Sequence, residues 1–167
     1  MTVSVVTSEA HMRVTNAKWT QAVGALGVVF IVSAGAAVTT SAQAPAGAGS
    51  SVASGVYTED QAKRGEAVST KSCTSCHGPE LSGGEAGPTL VGLEFLGNWN
   101  NLTAGDFYDR VNATMPADAP GTLTPQQTSD VMAYVFKLNK FPAGTAELPT
   151  DVAALKGIKI EGAQPAK

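Results

Sequence analysis

The sequence predicts an all-α domain of three to five short helices. Three stretches, Thr58-Glu59-Asp60-Gln61, Thr103-Ala104-Gly105-Asp106 and Thr124-Pro125-Gln126-Gln127, each set a hydroxyl three residues ahead of an acid or amide. That pattern marks a helix N-terminus. Apolar residues then recur at helical spacing, as Phe107, Tyr108 and Val111, and as Val131, Tyr134, Val135 and Leu138 with Met132 and Phe136 beside them. No strand–helix–strand alternation appears, and 18 glycines with nine prolines point to much loop between the helices.

The chain has 167 residues and a net charge of −3, without blocks of like charge. One domain is expected at this length. The lack of a basic face argues against a nucleic-acid partner. A small acidic domain with a modest apolar core is marginal unless something adds to that core.

Residues 1–44 read as an export leader. Arg13 and Lys18 precede the apolar run 22–38, and Ser41-Ala42-Gln43-Ala44 offers a small-x-small cleavage site after Ala44. The run is near the lower limit for a membrane span, so an uncleaved anchor is the alternative, and only then is a membrane a partner. The first eleven residues carry Glu9 and no Lys or Arg, whereas a start at Met12 gives the short basic opening Met12-Arg13-Val14. Cleavage leaves nine Lys or Arg against thirteen Asp or Glu. Residues 45–56, nearly all Pro, Ala, Gly and Ser, read as a flexible linker.

The domain is expected over 57–145. Its first helix starts at Thr58, with Glu59 and Asp60 in the positive first turn, and ends near Ser72. Ala62, Gly65 and Ala67 give it a smooth surface; Gly65 either admits a close neighbour or is simply tolerated.

That helix runs into Cys73-Thr74-Ser75-Cys76-His77. Two thiols three positions apart, followed by an imidazole, are what covalent haem attachment requires: each thiol adds to one vinyl group and the imidazole reaches the iron. A structural zinc site needs four ligands, and the chain has two cysteines and two histidines, of which His11 lies in the leader. A thioredoxin-like pair wants a βαβ setting. A plain disulfide would close a very small loop and leave His77 unexplained. One haem c is the cofactor expected, held by Cys73 and Cys76.

From Gly78 to Pro88 no apolar period survives, so this is loop, wrapped on the haem edge. Gly87-Pro88 is either a plain turn or places the Pro88 carbonyl to accept from His77 Nδ1. Leu90, Val91, Leu93, Phe95 and Leu96 are expected as apolar walls. Trp99 either donates its indole N–H to a haem propionate or is ordinary core. The next helix ends near Thr114. Pro116 turns Met115 out of it into an extended conformation, where a thioether can point at a metal.

Thioether sulfur suits haem iron, and His/Met ligation raises the reduction potential. Met1 and Met12 leave with the leader, and Met132 sits at a core-type helical position. Met115 is therefore the expected second iron ligand opposite His77, with an open sixth position as the alternative. The last helix opens at Thr124 with Pro125 at its first position and ends at Phe141-Pro142. Residues 146–167 form a C-terminal extension of weak pattern, its Leu148-Pro149 lying against the domain and its end mobile.

These features together resemble a class I monohaem cytochrome c over residues 58–142. The matching residues are Cys73, Cys76 and His77, Gly65, Gly87-Pro88-Thr89-Leu90, Met115-Pro116 and Tyr134. The resemblance implies that Gly65 touches Tyr134 and that His77 hydrogen-bonds Pro88. The chain departs from the pattern at Ser69, where the family commonly has an aromatic residue. Phe95, Trp99, Phe107, Thr114-Met115-Pro116 and the stretch 138–144 are similar to cytochromes that accept electrons from periplasmic quinoprotein or flavoprotein dehydrogenases. The resemblance implies an exported, periplasmic one-electron carrier rather than an enzyme, with redox proteins as donor and acceptor. The rivals are a haem enzyme or gas sensor with an open distal site, and a tethered subunit of a dehydrogenase or oxidase complex.

Overall fold

A computed structural model describes residues 49–162, which fall within one compact unit. The leader 1–44, with its apolar run and the alternative start at Met12, lies outside the described residues. So do residues 163–167.

Six α-helices occur among the described residues, one more than the upper expectation, because two are a turn or so long. Helix α1 (Glu59–Ser72) begins where Thr58 Oγ1 accepts the Gln61 amide at 3.1 Å. Helix α2 (Thr74–His77) is a single turn that continues from it. Helix α3 (Gly92–Trp99) was expected only as a set of apolar walls. Helix α4 (Ala104–Thr114) and helix α5 (Pro125–Leu138) both carry complete reciprocal capping boxes, Thr103 with Asp106 and Thr124 with Gln127. Hydrogen bonds from Thr103 hold the Asp106 carboxyl below its ordinary range. Helix α6 (Val152–Lys156) is capped by Asp151. Two short strands, β1 (Ser50–Ser51) and β2 (Ile158–Lys159), pair in parallel.

Helices α1 and α5 cross at Gly65. A Cβ there would overlap the Asp130 carbonyl and come to 3.0 Å from Tyr134 Cβ. The absent side chain is what lets the two backbones meet. Beside the crossing, Arg64 donates from Nε and Nη2 to the two carboxylate oxygens of Asp130, each at 3.0 Å, and from Nη2 to Glu147 at 2.8 Å. Helix α5 is the centre of the molecule, buried without a break from Thr128 to Phe136. Met132 is fully enclosed there as core.

Four expectations are corrected. Leu93 is no wall: it is 89% exposed while Phe95 is 1% exposed. Two residues apart on a helix point about 200° away from each other, so only one can face the core.

The linker 45–56 is not free over its described part. Ser50 and Ser51 pair with Ile158 and Lys159, and Val52 and Val56 are buried. Likewise the extension to residue 162 is part of the domain, its Leu148, Leu155, Ile158 and Ile160 all enclosed in the core. Isolated aliphatic residues among Gly, Ala and Ser have no period to announce them, and long-range pairing places them.

Finally, Gln61 does not complete a capping box with Thr58. It is fully buried, and its amide clamps the Leu148 backbone, Nε2 donating to the Leu148 carbonyl at 3.0 Å and Oε1 accepting its amide at 2.7 Å.

Tyr57 ties the two ends of the domain together. Its buried hydroxyl donates to the Phe141 carbonyl at 2.7 Å. Burial, and secondly Glu59, push the phenol up to about 12. The protonated form is the one the fold prefers, so this stability is fully present below the unfolded value of roughly 10 and drains away as pH rises toward 12, at about 1.4 kcal/mol per pH unit. Urea midpoints measured across that window should fall steeply in the native protein and less steeply in Tyr57→Phe. Equal slopes would remove Tyr57 as the cause.

Candidate haem crevice

The site is built at the junction of α1 and α2. Cys73 closes α1 and opens α2 with φ −121 and ψ −38, and the single turn of α2 carries Cys76 and His77 three and four positions after it. The His77 amide donates to the Cys73 carbonyl at 2.9 Å, which fixes that spacing. No disulfide joins the two cysteines. Burial pushes the Cys73 thiol up.

After α2 the chain doubles back. Gly78 stands at φ +76, the Gly83 amide donates to the His77 carbonyl at 2.7 Å, and the Gly84 amide donates to the Gly87 carbonyl at 3.0 Å. A Cβ on Gly87 would sit 3.0 Å from His77 Nδ1. With that space left clear, the loop brings the Pro88 carbonyl oxygen to 2.7 Å from His77 Nδ1. An Nδ1–H donating to Pro88 commits the other ring nitrogen, Nε2, to be the free lone pair. The imidazole is 8% exposed.

Helix α4 supplies the opposite boundary. It ends at Thr114, and Met115 stands just past it with φ −124 and ψ 149, its amide still donating to the Val111 carbonyl at 2.9 Å. The extended conformation is the one Pro116 favours.

Between these pieces lies a crevice of about 670 Å³, lined by Cys73, Cys76, His77, Pro88, Leu90, Met115 and the apolar side chains Phe107, Val111, Val131 and Val135. A second lobe of about 480 Å³ shares His77, Pro88, Leu90, Phe107, Val111 and Met115, and adds Asn98, Trp99, Leu102 and Arg110. Trp99 takes the second of its expected roles, as part of the aromatic core. It lines this lobe, and its ring lies 4.6 Å from that of Phe107 in a cluster that continues to Phe95 and Phe136.

Of the six residues singled out from the sequence, Cys73, Cys76, His77, Pro88 and Met115 border the first lobe, and Trp99 borders the second together with His77, Pro88 and Met115. The wall residues Val131 and Val135 on α5, and Phe107 and Val111 on α4, were expected only as core stripes; their helical spacing was the available signal. Arg110 and Asn98 gave none.

The donor set fits a covalently held haem and not a bare metal ion. Among the described residues no three or more His, Cys, Asp or Glu cluster as a metal site would require. The crevice instead offers two thiols, one oriented imidazole and one thioether around an apolar interior, which is the chemistry of a haem site.

Comparison with known proteins bears on the same segment. Residues 60–135, a little under half of the chain, match the family model described as Cytochrome C oxidase, cbb3-type, subunit III. The match supports a c-type cytochrome. With the helices above, the fold is the all-α cytochrome c fold, and the match suggests a haem-based electron-transfer protein that binds haem c. No curated protein and no solved structure matches the chain significantly. The matched range runs from the first turn of α1 through most of α5, and so leaves residues 49–59 and 136–162 outside it.

Proposed function

We propose that this cytochrome is an exported, class I monohaem one-electron carrier whose iron is held by His77 and Met115. The observation that carries the reading is that His77 and Met115 both border both lobes of a single apolar crevice that also holds the two thiols. A bound haem supplies an iron that takes up and gives back one electron. Cys73 and Cys76 hold the group covalently. The Pro88 carbonyl accepts from Nδ1–H of His77 and orients the ring, which leaves the Nε2 lone pair to serve as the ligand. Met115 contributes a soft sulfur that favours the reduced state. Leu90, Phe107, Val111, Val131 and Val135 exclude water. Because α2 and the end of α4 are anchored by backbone hydrogen bonds, little needs to move when the charge changes.

The donor and acceptor are redox proteins, the donor being a periplasmic quinoprotein or flavoprotein dehydrogenase. Weak, brief contact over a small interface suits repeated exchange. Export follows from the leader pattern and from attachment of haem outside the cytoplasmic membrane. No helix among the described residues is long and apolar enough to cross a membrane. Cell fractionation with N-terminal sequencing tests the location: a mature chain beginning at Pro45 supports a free periplasmic protein, and a retained 22–38 run supports an anchored one.

The deciding experiment is an optical spectrum of the oxidised protein with a carbon monoxide titration of the reduced one. The weak far-red sulfur-to-iron band and refusal of carbon monoxide are expected. Covalent haem without the band, and with ready carbon monoxide binding, would replace this reading with an enzyme or gas sensor. Cys76→Ala should lose most covalently retained haem on a denaturing gel; normal staining would contradict the attachment role.

A further inference from the structure

We infer that residues 158–162 of the C-terminal extension hold the crevice wall that carries Trp99 and Leu102, and thereby close the approach to Met115. The inference rests on the reading of Met115 as the second iron ligand.

The wall is the connection between α3 and α4. Residues 100–102 belong to no helix or strand, so their backbone polar groups need partners from elsewhere. The extension supplies them. The Ile160 amide donates to the Leu102 carbonyl at 2.8 Å, and the Asn101 amide donates to the Ile160 carbonyl at 2.9 Å. The Gly162 amide donates to Asn100 Oδ1 at 3.0 Å. Lys159 forms an isolated antiparallel bridge with Thr103.

Side chains reinforce the pairing. Ile158 and Ile160 are fully buried, in the same cluster as Phe95 and Phe107. Gly162 lies so close to Leu96 that a Cβ would stand 2.9 Å from its Cδ1. Asn101 is held at φ +69, a left-handed conformation that a non-glycine residue keeps only when its surroundings enforce it. The Asn101 amide is one of the groups the extension engages.

On the inner side of the same wall, the Leu102 amide donates to the Trp99 carbonyl at 3.1 Å, and Trp99 rests on Phe107. Trp99 and Leu102 line the second lobe together with Met115. Without residues 158–162, the 100–102 segment loses its outer partners, Asn101 is free to leave the left-handed region, and Trp99 loses its backing. The lobe then opens toward Met115. Cys73, Cys76 and His77 are held by α1, α2 and the 78–88 loop, which take no part in these bonds. Attachment of haem should therefore survive a change that exposes the other face.

The test uses the full holoprotein, a version lacking residues 158–167, and Asn100→Ala, which removes only the acceptor for Gly162. Covalent haem is measured on a denaturing gel, and imidazole is titrated into the oxidised protein while the far-red band is followed. The deletion should bind imidazole about tenfold more tightly and Asn100→Ala several-fold more tightly, because apparent affinity scales with the fraction of open molecules. Covalent haem should stay at the native level in both. Titrations within about twofold of the native protein for both variants would overturn the inference, and where the deletion fails to fold, Asn100→Ala alone decides on the same criterion. A native protein that lacks the band and binds imidazole freely would overturn the His/Met reading itself, and this inference with it, so the two failures are distinguishable.

Discussion

Gly65→Ala should destabilise the domain by about 3 kcal/mol or more, toward the upper end of what overpacking costs. A methyl group at this position overlaps the Asp130 carbonyl and presses on Tyr134 Cβ. Its nearest obstacle is backbone, which cannot rotate aside, so α1 and α5 must separate. That separation also strains the paired hydrogen bonds from Arg64 to Asp130, a carboxylate that is almost wholly buried. Arg64 is half exposed and Gln126 also donates to Asp130, so loosening this pair adds a smaller cost to the overlap itself. For a domain whose total stability is of order 5–15 kcal/mol, the loss is a large fraction.

Gly97→Ala provides the control. Nothing stands within 4 Å of its missing Cβ, so the substitution on α3 should be neutral or stabilising by up to about 1 kcal/mol. Urea denaturation of the three holoproteins checks both signs. A Gly65→Ala protein as stable as the native one would mean that the helices do not cross here.

Met115→Ala should remove the far-red band, admit carbon monoxide to the reduced protein, and lower the reduction potential. The expected drop is on the order of 0.1–0.3 V, a fraction of the roughly 0.8 V over which axial ligands set haem potentials. The direction follows from the softness of sulfur, which stabilises the reduced iron more than the oxidised one. Met115 also packs against the core, so truncation changes volume as well as ligation. Met115→Leu separates the two effects. It keeps the bulk of the side chain and loses only the sulfur, and it should shift the potential nearly as far as alanine does while costing much less stability. A leucine variant with the native potential and spectrum would rule Met115 out as a ligand. Met132→Leu should leave the spectrum unchanged, since Met132 is enclosed in α5 and does not border the crevice.

Different physical signals made different parts of this protein legible. Local chemistry was readable: the helix starts at Thr103 and Thr124 are complete capping boxes, and the extended conformation of Met115 before Pro116 needs only steric reasoning about proline. Cys73, Cys76 and His77 are bound by a spacing of three and four that one helical turn enforces. The 2.7 Å approach of Pro88 to His77 was one of two readings that Gly87-Pro88 allowed, a plain turn being the other, and resemblance favoured it. Leu93 and Phe95 looked equivalent as apolar residues until a helix starting at Gly92 sent them to opposite sides. Gln61 looked like half of an exposed cap, and only its distance from Leu148 in the fold turned it into a buried clamp.

The sequence by itself determined the chemistry of the site, because covalent spacing and local backbone preference act within a few residues. It also determined the class of fold, since capping and helical periodicity are local too. The tertiary structure alone decided what encloses that site. Val52, Val56, Leu148, Ile158 and Ile160 are single aliphatic residues in stretches with no period, and their burial depends on β1 meeting β2 and on residues 159–162 meeting 100–103. Such contacts join segments that lie tens of residues apart or more. Their stability comes from apolar burial and backbone pairing that exist only once both partners are in place, and no local pattern records them.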